Sequence, residues 1–172
     1  MAKVLIIDTS IMCVWLKVPG KKTAGKNNEH TYDMVYRHIE DEKKKGTKLV
    51  LPIATIIETG NHIAHAEGNK ERSAKELSNI ILNAAEGISP WIAIDMQNTL
   101  WQTDNLSKLV EEWKNTVISE AQSIGDAAIV QIAQHFASSG IEVEIFTGDG
   151  GLKNYEYKIK GQGKRQLRRN RK

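Results

Sequence analysis

The chain has 172 residues, 40% of them hydrophobic and 26% charged, enough apolar content for a core and a length suited to one domain with some decoration. No apolar stretch approaches the ~20 residues needed to cross a bilayer, and Val4-Leu5-Ile6-Ile7, halted by Asp8, is too short for a signal peptide, so the expectation is a cytoplasmic protein with no membrane partner. The lone cysteine, Cys13, excludes an internal disulfide and an all-cysteine metal cage. The formal charge of +3 conceals an asymmetry. Eight of the 24 Lys and Arg fall within 158–172, where there is no acid, so residues 1–157 hold 16 basic against 21 acidic side chains. A cationic tail on an acidic body suits phosphate or another acidic surface.

In chain order, residues 3–7 form a short aliphatic run that reads as a buried central strand. Asp8, Thr9 and Ser10 then offer N-caps for a helix through about Lys17, which Pro19-Gly20 ends. Residues 20–29 are polar and Gly-containing and read as a mobile loop. Tyr32, Val35, Tyr36 and Ile39 have helical spacing, predicting a helix over 30–45 closed by Gly46. A strand follows over 48–51, and Pro52 opens a helix to about Ala66. Further helices are predicted over 70–86, 105–121 and 126–138, with strands over 91–95 and 141–147 and an edge strand over 155–159. Strands alternating with helices indicate an α/β domain with a mainly parallel sheet. The division is one domain over 1–160 and a basic, flexible tail over 161–172.

Ligands of such sheets bind beyond the carboxyl ends of the strands. Asp8 follows the first strand directly, and Asp149 follows the 141–147 strand across Thr147-Gly148, so two acids point to one edge of the sheet. Each acid also has an ordinary reading. Asp8 can cap the first helix. Glu58, off the predicted apolar stripe Ile53, Ile56, Ile57, Gly60 and Ala64, can be a solvated surface residue. Asp126, in Ser123-Ile-Gly-Asp126, can close a capping box. Asp149, in Thr147-Gly-Asp-Gly-Gly151, can mark a turn. Order and spacing taken together are more informative than any one of them.

The segments Val4-Leu-Ile-Ile-Asp8-Thr-Ser10, Leu51-Pro-Ile-Ala-Thr-Ile-Ile-Glu58, Gly125-Asp126-Ala-Ala-Ile129 and Ile145-Phe-Thr-Gly-Asp149, in that order over residues 3–152, resemble the PIN domain family. The resemblance implies a three-layer α/β/α sandwich on a mainly parallel five-stranded sheet. It also implies a nuclease dependent on Mg²⁺ or Mn²⁺ that hydrolyses RNA, in preference to DNA. Asp8 would be the shared metal ligand, and Asp126 and Asp149 would complete the shell directly or through water. Glu58 would bind metal or orient water, while Thr9, Ser10 and Thr147 would hold the carboxylates by hydrogen bonds. Many relatives are the toxins of toxin–antitoxin pairs, which implies an antitoxin or inhibitor protein as partner, and homodimers are common among them. The longer segment between Glu58 and Asp126, with Trp91 and Trp101, and the basic tail depart from the small toxins.

The chemistry suits the residues. Phosphodiester hydrolysis must stabilise an attacking hydroxide and a charged leaving oxygen, which two hard cations roughly 3.5–4 Å apart can do. Four converging carboxylates without a cation would repel one another. In the tail, Lys164, Arg165, Arg168, Arg169, Arg171 and Lys172 are candidates for RNA phosphate contacts that add affinity without reading sequence. Glu120 is a weaker fifth acid, and His62 with His65 a lesser candidate pair for a softer metal. The four Trp do not interleave with basic residues, so most read as core. Two other function classes compete. A phosphatase with a nucleophilic Asp8 would want an acid where Ser10 stands. A non-catalytic RNA-binding or protein-interaction module would not need the acids to converge.

Overall fold

The structure, a computed structural model, describes residues 2–156. Lys3–Ile7 forms β1, the central strand. Its side chains alternate between two faces and Val4 to Ile7 are all buried, which explains why the run is aliphatic throughout instead of alternating with polar residues. Asp8 leaves the strand extended and caps α1 (Thr9–Trp15). A tight return through Lys17 and Gly20, both at positive φ, leads to a short antiparallel pair, β2 (Thr23–Ala24) and β3 (His30–Thr31). α2 (Tyr32–Lys44) ends before Gly46, whose φ of +80 suits the reversal into β4 (Lys48–Val50). α3 (Ile53–His65) and α4 (Glu71–Ala85) follow. A 3-10 helix (Ile94–Trp101) then leads to α5 (Thr103–Glu120), α6 (Ile124–Ser138) and β5 (Glu142–Phe146). A last helix, α7, covers 150–156.

The sheet order is β4-β1-β5, all parallel, with Leu5 opposite both Leu49 and Glu144. Leu5 and Ile7 join a core with Ile11, Met12, Val35, Ile39, Ile63 and Leu77, contributed by α1 to α4. Val4 and Ile6 join a second core on the other face with Leu100, Ile129, Ile132, Ala133, Phe136 and Leu152. Among the described residues no helix is long and apolar enough to cross a membrane.

The α/β class holds, but the five-stranded parallel sheet of a three-layer sandwich does not form. The described residues give three parallel strands and a separate two-stranded antiparallel pair. Three local reasons account for the difference. Residues 91–95 make a single parallel bridge, Trp91 to Leu49, before the chain turns into the 3-10 helix. The carbonyl of Leu51, where a strand neighbour would continue, accepts instead from the Gln97 side chain at 2.8 Å. At the other rim, Asp149 Oδ1 accepts from the amides of Gly151 (2.6 Å) and Leu152 (3.2 Å), so the chain turns helical, and Tyr155 and Glu156 lie in α7 instead of an edge strand. Residues 157–159 of that predicted strand, like the predicted boundary at 160, lie outside the described residues. Finally, residues 20–29 are not loop throughout: Thr23 and Ala24 pair with Thr31 and His30.

One buried ion network ties α2 to the sheet. Glu42, 2% exposed, accepts from Lys3 Nζ, Lys45 Nζ and Thr47 Oγ1, each at 2.7 Å. Lys3 also reaches Glu144 at 2.6 Å, on which His38 Nε2 converges at 2.7 Å. Burial alone would raise the Glu42 pKa, but its three hydrogen bonds and the Lys3 charge outweigh that and draw it down to about 2. A carboxylate held below its ordinary value contributes stability that is complete above the unfolded value near 4.5 and is lost as pH falls through the folded one. Glu42→Gln is therefore expected to cost about 1.5–3 kcal/mol at pH 7, the range for hydrogen bonds to a charged group. Urea melts repeated between pH 7 and pH 3 should show the gap between variant and wild type narrowing as pH drops, and a gap independent of pH would contradict this assignment.

Candidate metal centre

The carboxyl ends of β1 and β5 are adjacent, and the Asp8 amide donates to the Phe146 carbonyl at 3.1 Å. The two strand-end segments are then joined by side chains. Asp8 Oδ2 accepts from Ser10 Oγ at 2.7 Å and from Thr147 Oγ1 at 2.8 Å, with a longer bond of 3.4 Å from the Ser10 amide. Thr147, fully buried, accepts in turn from the Asp149 amide at 2.8 Å, and the Gly148 amide donates to Ser10 Oγ at 3.0 Å. Gly148 is required here, because a Cβ would stand 2.9 Å from that of Ala24 on β2.

Two helices bring the other acids. α3 buries Thr55, Thr59 and Ile63, and the Thr55 hydroxyl donates to the Ile7 carbonyl at 3.0 Å. This orientation leaves Ile57 58% exposed and turns Glu58 towards the end of β1, where Glu58 Oε2 accepts from Thr9 Oγ1 at 2.8 Å. α6 begins with a capping box: the Asp126 amide donates to Ser123 Oγ at 3.0 Å, and the Ser123 amide to Asp126 Oδ2 at 3.2 Å. Gly125 lies so close to Glu58 Oε1 that any side chain there would collide with the carboxylate.

Asp8, Glu58, Asp126 and Asp149 line one cavity of about 380 Å³, together with Thr9, Ser10, Ser123 and several residues that the sequence did not single out for it, Cys13, Lys21, Thr23 and Ala24. The four acids share a pattern. Each engages one oxygen in the bonds just described, and no hydrogen bond from the described residues falls on the other: Asp8 Oδ1, Glu58 Oε1, Asp126 Oδ1 and Asp149 Oδ2. Three of the acids sit at helix N-termini, of α1, α6 and α7, whose partial positive charge moderates their mutual repulsion. The Asp126 carboxyl is nevertheless raised above its ordinary value, first by burial, then by the charges of Asp8 and Asp149, against the lowering effect of its bonds with Ser123. Cys13 is pushed up to about 11, mainly by burial, which removes a thiolate nucleophile from consideration.

The lesser candidates separate. His62 lines the cavity, whereas the His65 ring donates from Nδ1 to the Asn61 carbonyl at 2.8 Å. Glu120 accepts from the Tyr155 hydroxyl at 2.7 Å and is not part of the lining. The six tail residues, Lys164, Arg165, Arg168, Arg169, Arg171 and Lys172, lie outside the described residues. Of the tryptophans, Trp91 is buried, with its ring centroid 6.2 Å from that of Trp15, and Trp101 is partly exposed.

The fit to a divalent cation has two sides. Among the described residues, no group of three or more His, Cys, Asp or Glu side chains is arranged to hold an ion as it stands, so there is no closed cage. The donor set nevertheless suits Mg²⁺ or Mn²⁺, since Mg²⁺ keeps several of its waters and needs only one or two carboxylates directly. A search against protein-family models, curated proteins and solved structures finds no match to this chain.

Thr147 is the hinge of the arrangement, giving one bond to Asp8 and taking one from Asp149 in a site without solvent. Thr147→Val keeps the volume and removes both. The expected cost is about 1–3 kcal/mol, the penalty for leaving a buried polar group unsatisfied, read as a lower midpoint in chemical denaturation. An unchanged midpoint would show that the bonds contribute nothing net.

Proposed function

We propose that the chain is a PIN-type nuclease that hydrolyses RNA phosphodiester bonds with Mg²⁺ or Mn²⁺. The observation that carries this reading is the convergence of four acids, distant in sequence, on one cavity at the carboxyl ends of two adjacent strands, each with one oxygen anchored and one left over. The order of the four motifs supports the same reading. When bound, the cations supply a Lewis acid for the phosphoryl oxygens and for the attacking and leaving oxygens.

The protein's own part is positioning. Ser10 and Thr147 hold Asp8 through Oδ2 and Thr9 holds Glu58 through Oε2, so the second oxygen of each carries no hydrogen bond from the described residues. Asp126 is held through its capping-box bonds with Ser123, and burial together with the charges of Asp8 and Asp149 raises its carboxyl above the ordinary value. Ala24 of β2 against Gly148 closes one wall. A cytoplasmic location, expected from the lone cysteine and the short apolar runs, belongs to the same proposal, as do pairing with an antitoxin or inhibitor protein and a homodimer, which the PIN resemblance implies. The tail from 158 to 172, with eight cations, would add RNA affinity through phosphate contacts.

The decisive test is RNA cleavage in Mn²⁺ by Asp8→Asn and Asp149→Asn. Asparagine caps helices as well as aspartate does, so α1 and α7 should persist by circular dichroism while turnover falls by at least ~100-fold, the order expected when charge stabilisation of the transition state is lost. Undiminished turnover in either variant would refute its role. Truncation after Lys160 should weaken RNA binding mostly at low salt and flatten its salt dependence, and identical salt titrations for the two lengths would remove the tail from the proposal. A non-catalytic module is the second reading, since among the described residues no group of three or more His, Cys, Asp or Glu is arranged to hold an ion as it stands. Calorimetry separates the two: Mn²⁺ uptake by wild type but not by Asp8→Asn supports the nuclease, and no uptake by either supports the module.

A further inference from the structure

The acid-lined cavity creates a difficulty for its own substrate, because a polyanion must enter a space bounded by four carboxylates. Cations inside the cavity reduce that repulsion. Among the described residues that line the cavity, Lys21 is the only lysine or arginine. Its position follows from the chain path after α1. Lys17 turns to positive φ, the Val18 amide donates back to the Cys13 carbonyl at 3.0 Å, and the Lys21 amide donates to the Val18 carbonyl at 2.9 Å. Val18 is buried and anchors the return. The loop thus folds back over the end of α1 instead of leading away from it, and delivers a cation where the sequence suggested only a polar loop.

Lys21 is exposed and lines the cavity, and its charge reaches two other lining groups. It opposes the burial that lifts the Cys13 thiol, and it adds to the burial that lowers the His62 imidazole. Lys21 nevertheless joins none of the ion pairs among the described residues. An ammonium closed onto one carboxylate would be a structural counter-ion; one that lines the cavity without closing onto an acid keeps its hydrogen-bond donors available.

We infer that Lys21 is a substrate-binding residue of this cavity, holding a non-bridging oxygen of the phosphodiester next to the four acids. The inference rests on the nuclease reading for its substrate, but its measurement does not require turnover. A lysine ammonium serves such an oxygen as a point charge, with no demand for bidentate geometry. The contact is to backbone and not to base, so it selects for a phosphodiester and not for a sequence.

The test measures binding of a fluorescent single-stranded RNA to the full chain by anisotropy, across a salt series in Mg²⁺. Asp8→Asn, Asp8→Asn with Lys21→Gln, and Asp8→Asn with Lys22→Gln are compared, and kcat/KM in Mn²⁺ is measured for the lysine variants alone. Lys21→Gln should flatten the slope of log K against log salt by about 0.7, the value for one phosphate contact on a single strand. It should also lower kcat/KM by about 10- to 100-fold, the range for losing one charge-assisted hydrogen bond. Lys21→Arg should restore most of both, and Lys22→Gln should leave both within about twofold of its parent, as expected for a neighbouring exposed lysine that is not part of the lining. A slope unchanged by Lys21→Gln overturns the inference even if the variant melts earlier, since a purely structural counter-ion would move the melting midpoint without moving the slope. If Asp8→Asn still cuts RNA while the Lys21 slope change appears, the catalytic assignment fails and the binding residue stands. If wild type binds no RNA at any salt, both fail.

Discussion

The organisation of the molecule turns on one hydrogen-bonded link, the Asp8 carboxylate receiving the hydroxyls of Ser10 and Thr147 across the ends of β1 and β5. Strand pairing brings the two segments together, but backbone bonds alone leave side-chain directions free. The Asp8–Thr147 bond fixes them, and because Thr147 also accepts from the Asp149 amide, the placement of the second acid depends on the first. A buried hydroxyl that both donates and accepts is satisfied in only one arrangement, so the geometry is over-determined. The Glu58 and Asp126 carboxylates are fixed in the same way, by Thr9 and by Ser123.

Capping and candidate chemistry, which compete as explanations of these acids in the sequence, are combined in the structure. Asp8 does cap α1, Asp126 does close a capping box, and Asp149 does receive the first amides of α7. A cap needs only one carboxylate oxygen, which leaves the other for the cavity. The caps also aim three helix N-termini at a region of concentrated negative charge, where their dipoles are favourable. The site therefore needs no wide sheet. Two adjacent strands and two flanking helices supply all four acids, so a three-stranded sheet serves it.

The sequence revealed Asp8 and Asp149 most clearly, because Asp8 directly follows an aliphatic run and Asp149 follows a predicted strand across Thr147-Gly148, which sets both at one edge of a parallel sheet. Most helices were legible from their apolar spacing, and α2 and α6 fall close to their expected bounds. Glu58 was not legible from pattern. The isoleucines of α3 suggested one buried face, while the structure buries Thr55, Thr59 and Ile63. Threonine reads as polar, yet the Thr55 hydroxyl is satisfied by the Ile7 carbonyl and can be buried. Periodicity has no access to that partner, and without it the helix is assigned the wrong rotation. The missing strands failed for a related reason. A short run such as Trp91-Ile-Ala-Ile-Asp95 does not distinguish a strand from a single bridge, and the competing side-chain bond comes from Gln97, two residues further on. Lys21 was hidden because its place depends on a loop reversal defined by backbone bonds to the end of α1.

Among the described residues the parallel sheet is three strands wide, and each of its two rims is an edge where another strand could pair. Side chains meet backbone groups at both, and on the β4 side the Trp91 bridge also covers Leu49. Glu156 takes the outward amide of Ile145 at 3.2 Å on the β5 rim, and Gln97 takes the Leu51 carbonyl just beyond β4. A side chain in this role satisfies the backbone without presenting a fresh ladder to the next molecule, and an ionised one also repels approaching chains. Among the described residues, side chains therefore take up backbone groups at both rims, and those groups are not offered to a strand from outside.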